Sequence, residues 1–228
     1  MSGESFIIQG AQVLEDPADT AAGTRRADIL VDNGVIKEIG YPLRRSLGTS
    51  RVVHAQGYLA MPGLINAHFH SPGNLLKGSL PGLPLEIFML HEVPPLAAEI
   101  PDPFITRICT LLGAAEMLKN GVTTVMDDAY HVPCVTHENI DAIAQAYADI
   151  GMRATIAIDQ PNKPEYEKYP YLPDLLPADV KARMDRAPRQ SSKELLALYG
   201  HLFSKWHGSH DGRIRAAVSC SAPQRVTD

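Results

Sequence analysis

Residues 61–70 read Met61-Pro62-Gly63-Leu64-Ile65-Asn66-Ala67-His68-Phe69-His70. A proline and a glycine break whatever precedes them, and a short apolar run then leads into two histidines spaced two apart. Side chains alternate across a strand with period two, so His68 and His70 share one face and can close on one metal ion. A bare His-x-His can be polar decoration at a strand end. The Pro-Gly break, the apolar strand, Asn66 just before the pair and a glycine-bearing loop after it favour ligation here.

The chain before this stretch reads as short strands: Ser5 to Leu14, Ala27 to Asp32, Val35 to Gly40 and Arg51 to Ala55. Asp32-Asn33-Gly34 between two of them is a hairpin signal, because Asn and Gly accept the positive φ angles of such turns. Residues 16–26, rich in Ala, Thr, Gly and Asp, read as an exposed loop. A small β unit over 1–57 therefore precedes the histidine strand.

Beyond Tyr58 strands alternate with helices. Asp102-Pro103 opens a helix whose expected inward face is Ile105, Ile108, Leu112 and Ala115, and Asn120-Gly121 closes it. A strand follows over Val122 to Met126. Thr136 or Asn139 then caps a helix carrying Ile140, Ile143, Ala144, Tyr147 and Ile150. The next strand is Arg153 to Ile158. Residues 160–190 form a long Pro- and Tyr-rich insertion, the length of a lid or an interface. Ser191 with Glu194 makes a capping box for a helix that turns Leu195, Leu198, Tyr199, Leu202 and Trp206 inward. Ile214 to Ser219 is a fourth strand of this region. Such units imply an α/β class with a parallel sheet and right-handed crossovers, either an open doubly wound sheet or part of a (β/α)8 barrel. Four strands cannot close a barrel.

Composition bounds the function. The formal net charge is -5, without a long basic run and with 6% aromatic residues, which argues against a nucleic-acid track or an anionic membrane surface. A small neutral or cationic substrate fits better. The three cysteines, Cys109, Cys134 and Cys220, include no Cys-x-x-Cys pair and suggest neither a disulfide framework nor a zinc knot. With no bilayer-length apolar stretch and no leader-like start, the expected compartment is the cytoplasm.

The β-rich start, Pro62 to His70, Gly121-Val122-Thr123-Thr124-Val125 and Ser221-Ala222-Pro223 together resemble the amidohydrolase superfamily, nearest its cytosine deaminase, guanine deaminase and triazine hydrolase branch. The resemblance implies the first half of a (β/α)8 TIM-like barrel over 58–228, preceded over 1–57 by part of a small β-sandwich. His68 and His70 match the family's His-x-His at the end of the first barrel strand. The resemblance also implies one divalent metal, zinc or iron, and a small nitrogen heterocycle as substrate. The family's remaining ligands and its proton-shuttling glutamate have no counterpart in this chain, so the catalytic residues are expected beyond Asp228. Arg213 to Ser219 holds no lysine of the kind that bridges two metals in dinuclear members, which favours the mononuclear, deaminase-like type.

In that type a metal lowers the pKa of its water to about 7, and the hydroxide adds to an electron-poor carbon bearing nitrogen. Activity is then expected to need the other half of the barrel, from further chain or a second polypeptide, and that half or a homo-oligomer is the expected protein partner. The alternatives are cyclic-amide opening or triazine hydrolysis within the family, or a non-catalytic half-barrel that binds a partner through its open edge.

Further candidates surround the pair. Asn74, Lys77, Glu86 and Met89 lie in a first βα loop over 71–90; of these, Asn74 and Glu86 are the expected substrate contacts, and surface polarity is the alternative. Gln160 closes a strand where a cytosine deaminase-like enzyme reads its substrate with a glutamine, although the order here is Gln-Pro rather than Pro-Gln. Asp127 and Asp128 end the second strand, where capping or loop bonding outweighs acid–base work. His131 and His137 lack strand spacing for ligation. His201, His207 and His210 read as surface histidines near a helix end. Cys109 reads as core filler, and Cys220 as a thiol near the pocket.

Overall fold

The computed structural model describes residues 5–15, 23–43, 51–220 and 222–227. The chain divides into two compact units, Met1–Gly63 and Leu64–Asp228.

The first unit is a mixed sheet built from β1 (Phe6–Leu14), β2 (Thr24–Asp32), β3 (Val35–Gly40), β4 (Arg51–His54) and β5 (Leu59–Ala60). Its order is β3-β2-β1-β4, with β5 also pairing β1. Asn33 and Gly34 take φ of 52° and 75° between the paired Asp32 and Val35, which is the hairpin the sequence signals. Of the expected loop over 16–26, residues 16–22 lie outside the described residues, and 24–26 already belong to β2. The strand starts early because Arg25 and Arg26 pair with Val13 and Gln12 of β1.

The second unit is a four-stranded parallel sheet in the order β6-β7-β8-β9, formed by β6 (Leu64–Phe69), β7 (Val122–Ala129), β8 (Arg153–Ile158) and β9 (Ile214–Ala216). The connections carry α1 (Leu85–Glu92), α2 (Pro103–Lys119), α3 (His137–Ile150), α4 (Leu172–Leu175), α5 (Ala178–Asp185) and α6 (Ser192–Trp206). Asp102 caps α2 by accepting from Phe104 N, Thr136 caps α3, and Ser191 with Glu194 forms the capping box of α6. One core joins Val125, Ile140, Ile143, Tyr147, Ile156, Leu202 and Trp206 from the sheet, α3 and α6.

Two expectations change. The inward face of α2 is Thr106, Cys109, Thr110, Gly113, Ala114 and Met117, whereas Ile105 and Leu112 are exposed. Close approach decides this. A Cβ at Gly113 would collide with the Phe69 ring and the Asn74 amide, so only a small-residue face lets α2 come down on β6. The segment after the histidines is also not a plain loop, since it winds into a 3₁₀ turn over Ser71–Leu76 and then α1. The insertion over 160–190 holds a second 3₁₀ turn, Glu165–Lys168, besides α4 and α5.

Candidate metal centre

β6 runs parallel to β7 with Phe69 opposite Asp127, and the register shifts between Asn66 and Phe69. Such an irregularity re-aims side chains at a strand end. Asn66 Oδ1 accepts from His68 N at 3.2 Å and so holds the irregular turn of backbone. His68 Nε2 then stands 3.1 Å from His70 Nε2, with the two rings perpendicular.

The tautomer of His70 follows from its neighbour. His70 Nδ1 lies 2.7 Å from the carbonyl oxygen of Asp128. A carbonyl only accepts, so Nδ1 carries the hydrogen and Nε2 presents a lone pair. Two imidazole nitrogens on one tetrahedral ion at about 2.0–2.1 Å would stand about 3.3 Å apart. The pair is set close to that bite. An N–H···N bond between the rings would also suit the separation, so it is the Asp128 contact, orienting the ring as partners of ligand histidines do, that marks a ligand arrangement. Among the described residues no third His, Cys, Asp or Glu joins them into a three-ligand group. The chain fits a divalent metal as the donor of two ligands.

Asp127 secures the next residue. It is fully buried, its Oδ1 accepts from Ser71 N at 2.9 Å, and its Oδ2 accepts from Tyr147 OH at 2.8 Å. Burial pushes its carboxyl above the ordinary range, and the bonds from Ser71 and Tyr147 pull the other way. Loop bonding, not acid–base exposure, is its role. Asp128 instead lines the cavity in front of the histidines, and burial raises its carboxyl too.

That cavity measures about 480 Å³. Leu85, Phe88, Met89 and Glu92 of α1 face it together at i, i+3, i+4 and i+7, with Tyr130 beside them. Glu92 hydrogen-bonds Tyr130, and burial first, then this carboxylate, raises the Tyr130 phenol. Gly73 makes room for the Glu92 carboxylate, which a Cβ there would overlap. Phe88, Glu92 and Tyr130 were not singled out from the sequence. The helical spacing of 85, 88, 89 and 92 was the available signal, hidden by reading the segment as a loop.

Of the expected substrate contacts, the structure places the side chains of Asn74 and Gln160 in bonds to backbone groups. Asn74 is buried, donates from Nδ2 to Ser71 O at 2.9 Å and does not line this cavity. Glu86 sits in α1, and its side chain lies outside what the structure describes. Gln160 is buried and clamps the loop after β7: its Oε1 accepts from His131 N at 3.3 Å, and its Nε2 donates to His131 O at 2.7 Å and Pro133 O at 3.1 Å. Both ends of the amide are thus engaged by backbone groups of that loop. Gln160→Ala leaves one donor and two acceptors buried without it, so a loss on the order of 2 kcal/mol is expected in urea unfolding.

The other histidines divide. His137 is exposed against the His201 ring. His201 is not a free surface group, since its Nε2 lies 2.8 Å from Asp141, which also accepts from Trp206 Nε1 at 2.7 Å and Lys205 Nζ at 2.8 Å. His207 Nδ1 accepts from Ala216 N at 3.1 Å. Cys109 is buried as expected and Cys220 is exposed, outside the residues lining the histidine cavity.

His131 is 3% exposed, and burial lowers its pKa to about 4. The unfolded chain takes a proton near the ordinary histidine value of 6.5 while the folded chain refuses it until about 4. Stability is therefore complete above the unfolded value and falls as pH drops through that window, by on the order of 3 kcal/mol from this residue. Urea midpoints between pH 7 and 4 should fall less steeply in His131→Leu.

A parallel β/α sheet with paired imidazoles at the carboxyl end of its first strand belongs with the β/α proteins whose chemistry gathers at that end of the sheet. Residues 59–228 match the amidohydrolase family, and the chain belongs to it. A 5-methylthioadenosine/S-adenosylhomocysteine deaminase of Pyrococcus furiosus is 34% identical over 145 residues, covering 62% of this chain and 32% of the relative. The crystal structure of an adenosine deaminase from Xanthomonas campestris with bound zinc has a TM-score of 0.71 at 25% identity, covering 99% of this chain and 45% of that one. A triazine hydrolase from Arthrobacter aurescens has a TM-score of 0.72 at 22% identity, over 94% of this chain and 46% of that one. The chain thus spans about a third of the curated relative and just under half of each solved structure. No helix among the described residues is long and apolar enough to cross a membrane.

Proposed function

We propose that this protein is a metal-dependent hydrolase that deaminates a nitrogen heterocycle, with an adenosine-type nucleoside as its substrate class. The observation that carries this is the bite of His68 and His70, with His70 locked by the Asp128 carbonyl so that Nε2 faces its partner. The deaminase relative and the zinc-bound neighbour support the substrate class and zinc as the ion, with iron as the alternative. When bound, the ion supplies an activated water near neutral pH.

The chain's own residues orient and enclose. Asn66 and the Asp128 carbonyl set the two rings, and Asp127 holds Ser71 directly behind them. Phe88 and Met89 give the cavity an apolar wall against which a flat heterocycle can lie, and Glu92 with Tyr130 supplies the polar end of that wall. Substrate contact passes to these residues, because Asn74 and Gln160 are engaged elsewhere. We take the four-stranded sheet as half of a (β/α)8 barrel and the first unit as part of a β-sandwich. Closure then needs four more strands, and these, from further chain or another polypeptide, would bring the remaining ligands and the proton-carrying carboxylate. The three free thiols suit a reducing cytoplasm.

The test is ammonia release from adenosine, 5'-methylthioadenosine and guanine by protein purified from its native source, zinc-loaded or chelated. Zinc-dependent release from the adenosine-type substrates is expected. A zinc-loaded protein that is silent on all three but frees chloride from a triazine, or opens a cyclic amide, overturns the assignment.

A further inference from the structure

Behind the first βα segment lies a second cavity, of about 310 Å³, between the 3₁₀ turn over Ser71–Leu76, the end of α1, the start of α2 and the loop after β7. Its walls are mostly apolar: Leu75, Leu76, Pro101 and Ile105 among them. Leu75 and Ile105 are about half exposed and form its mouth. A volume of this size lies at the small end of ligand pockets. No lysine or arginine lines it, and the one carboxylate on its wall, Glu92, already binds Tyr130.

One polar group inside has no structural employment. His131 lines the cavity, is 3% exposed, and its Nδ1 has no hydrogen-bond partner among the described residues. Its other nitrogen makes only a long contact, 3.5 Å, to Thr106 Oγ1, which already accepts from Asn139 Nδ2 at 3.0 Å. Buried ring nitrogens are nearly always satisfied, because leaving one unpaired forfeits its hydration without return. The imidazole is also kept neutral by burial, so it can recognise a ligand atom by hydrogen bonding but not by charge. An anion would meet the Glu92 carboxylate with no lysine or arginine to receive it, and the other histidine of the lining, His91, is exposed.

We propose that this cavity is a second ligand compartment, taking an uncharged, mainly apolar small molecule whose single hydrogen-bonding group is received by His131 Nδ1. Glu92 and Tyr130 belong to its wall and to the wall of the histidine cavity. An occupant therefore touches the partition between the two, and the compartment stands whether or not the deaminase assignment does.

The probe is p-cresol, with toluene as the same shape lacking the hydroxyl, titrated into protein labelled at histidine rings and isoleucine methyls and followed by NMR. Saturable shifts at the His131 ring and the Ile105 methyl are expected, with p-cresol bound about tenfold more tightly than toluene. His131→Leu should bring p-cresol down to the affinity of toluene, and Leu75→Trp, which fills the mouth, should abolish both. Chelator should change neither. Shifts that miss His131 and Ile105, or p-cresol binding that survives both substitutions, overturn the proposal. Benzylamine or benzoate binding more tightly than p-cresol overturns the uncharged class.

Discussion

His70→Ala is expected to weaken zinc binding at least about 100-fold while leaving the far-ultraviolet circular dichroism unchanged. Altering groups that merely orient a ligand already costs about 10–100-fold, and this substitution removes one of the two proposed ligands outright. Among the described residues only two imidazoles converge on the point, so losing either leaves a single donor that cannot compete with water. His68→Ala should be as severe. The fold should tolerate both, because His68 is exposed and the half-buried ring of His70 meets the Asp128 carbonyl, His68 and Tyr130 at the sheet end, outside the main core cluster. His207→Ala is the control: its imidazole accepts from Ala216 N, away from the pair, so zinc affinity should hold although stability falls. Competition with a chromophoric chelator measures all three. Wild-type affinity in His70→Ala would refute the ligand role.

The fold was legible where local chemistry and burial agree. The Asn33-Gly34 hairpin, the caps at Asp102, Thr136 and Ser191, and the β8 bounds all follow from short-range signals that tertiary structure does not override. The buried face of α2 was not legible, because periodicity ranks Ile105 and Leu112 above Gly113, while the packing of Phe69 and Asn74 demands the smaller residue. The site divides in the same way. A pair at strand spacing announces itself, and the structure sets those two nitrogens facing each other. The cavity walls come from α1, whose 85, 88, 89 and 92 stripe mixes three apolar residues with a glutamate and lies in a segment punctuated by Gly78, Gly82 and Pro84. The commitments of Asn74 and Gln160 to backbone groups 3 and about 30 residues away are properties of the folded chain alone.

Asp127→Ala should be the single change near the pair that most damages stability. The carboxyl joins two elements: Ser71, which directly follows His70, and Tyr147, whose ring is fully buried in the core of α3. Alanine leaves the Ser71 N–H and the Tyr147 hydroxyl without their acceptor in a dry interior, at about 1–3 kcal/mol each, so a total on the order of 2–6 kcal/mol is expected in urea unfolding. Asp127→Asn separates bonding from charge. Its carbonyl oxygen can still accept from Ser71, and the Tyr147 hydroxyl, which also accepts, can receive the new amide. Burial already disfavours the ionised carboxyl, so the neutral side chain should recover most of the loss. Zinc affinity should follow the same order, with Asp127→Ala lowering it about tenfold through the loosened His70–Ser71 backbone and Asp127→Asn leaving it near wild type. Equal stability of the alanine and asparagine variants would mean that Asp127 acts by filling space and not by holding Ser71 to Tyr147.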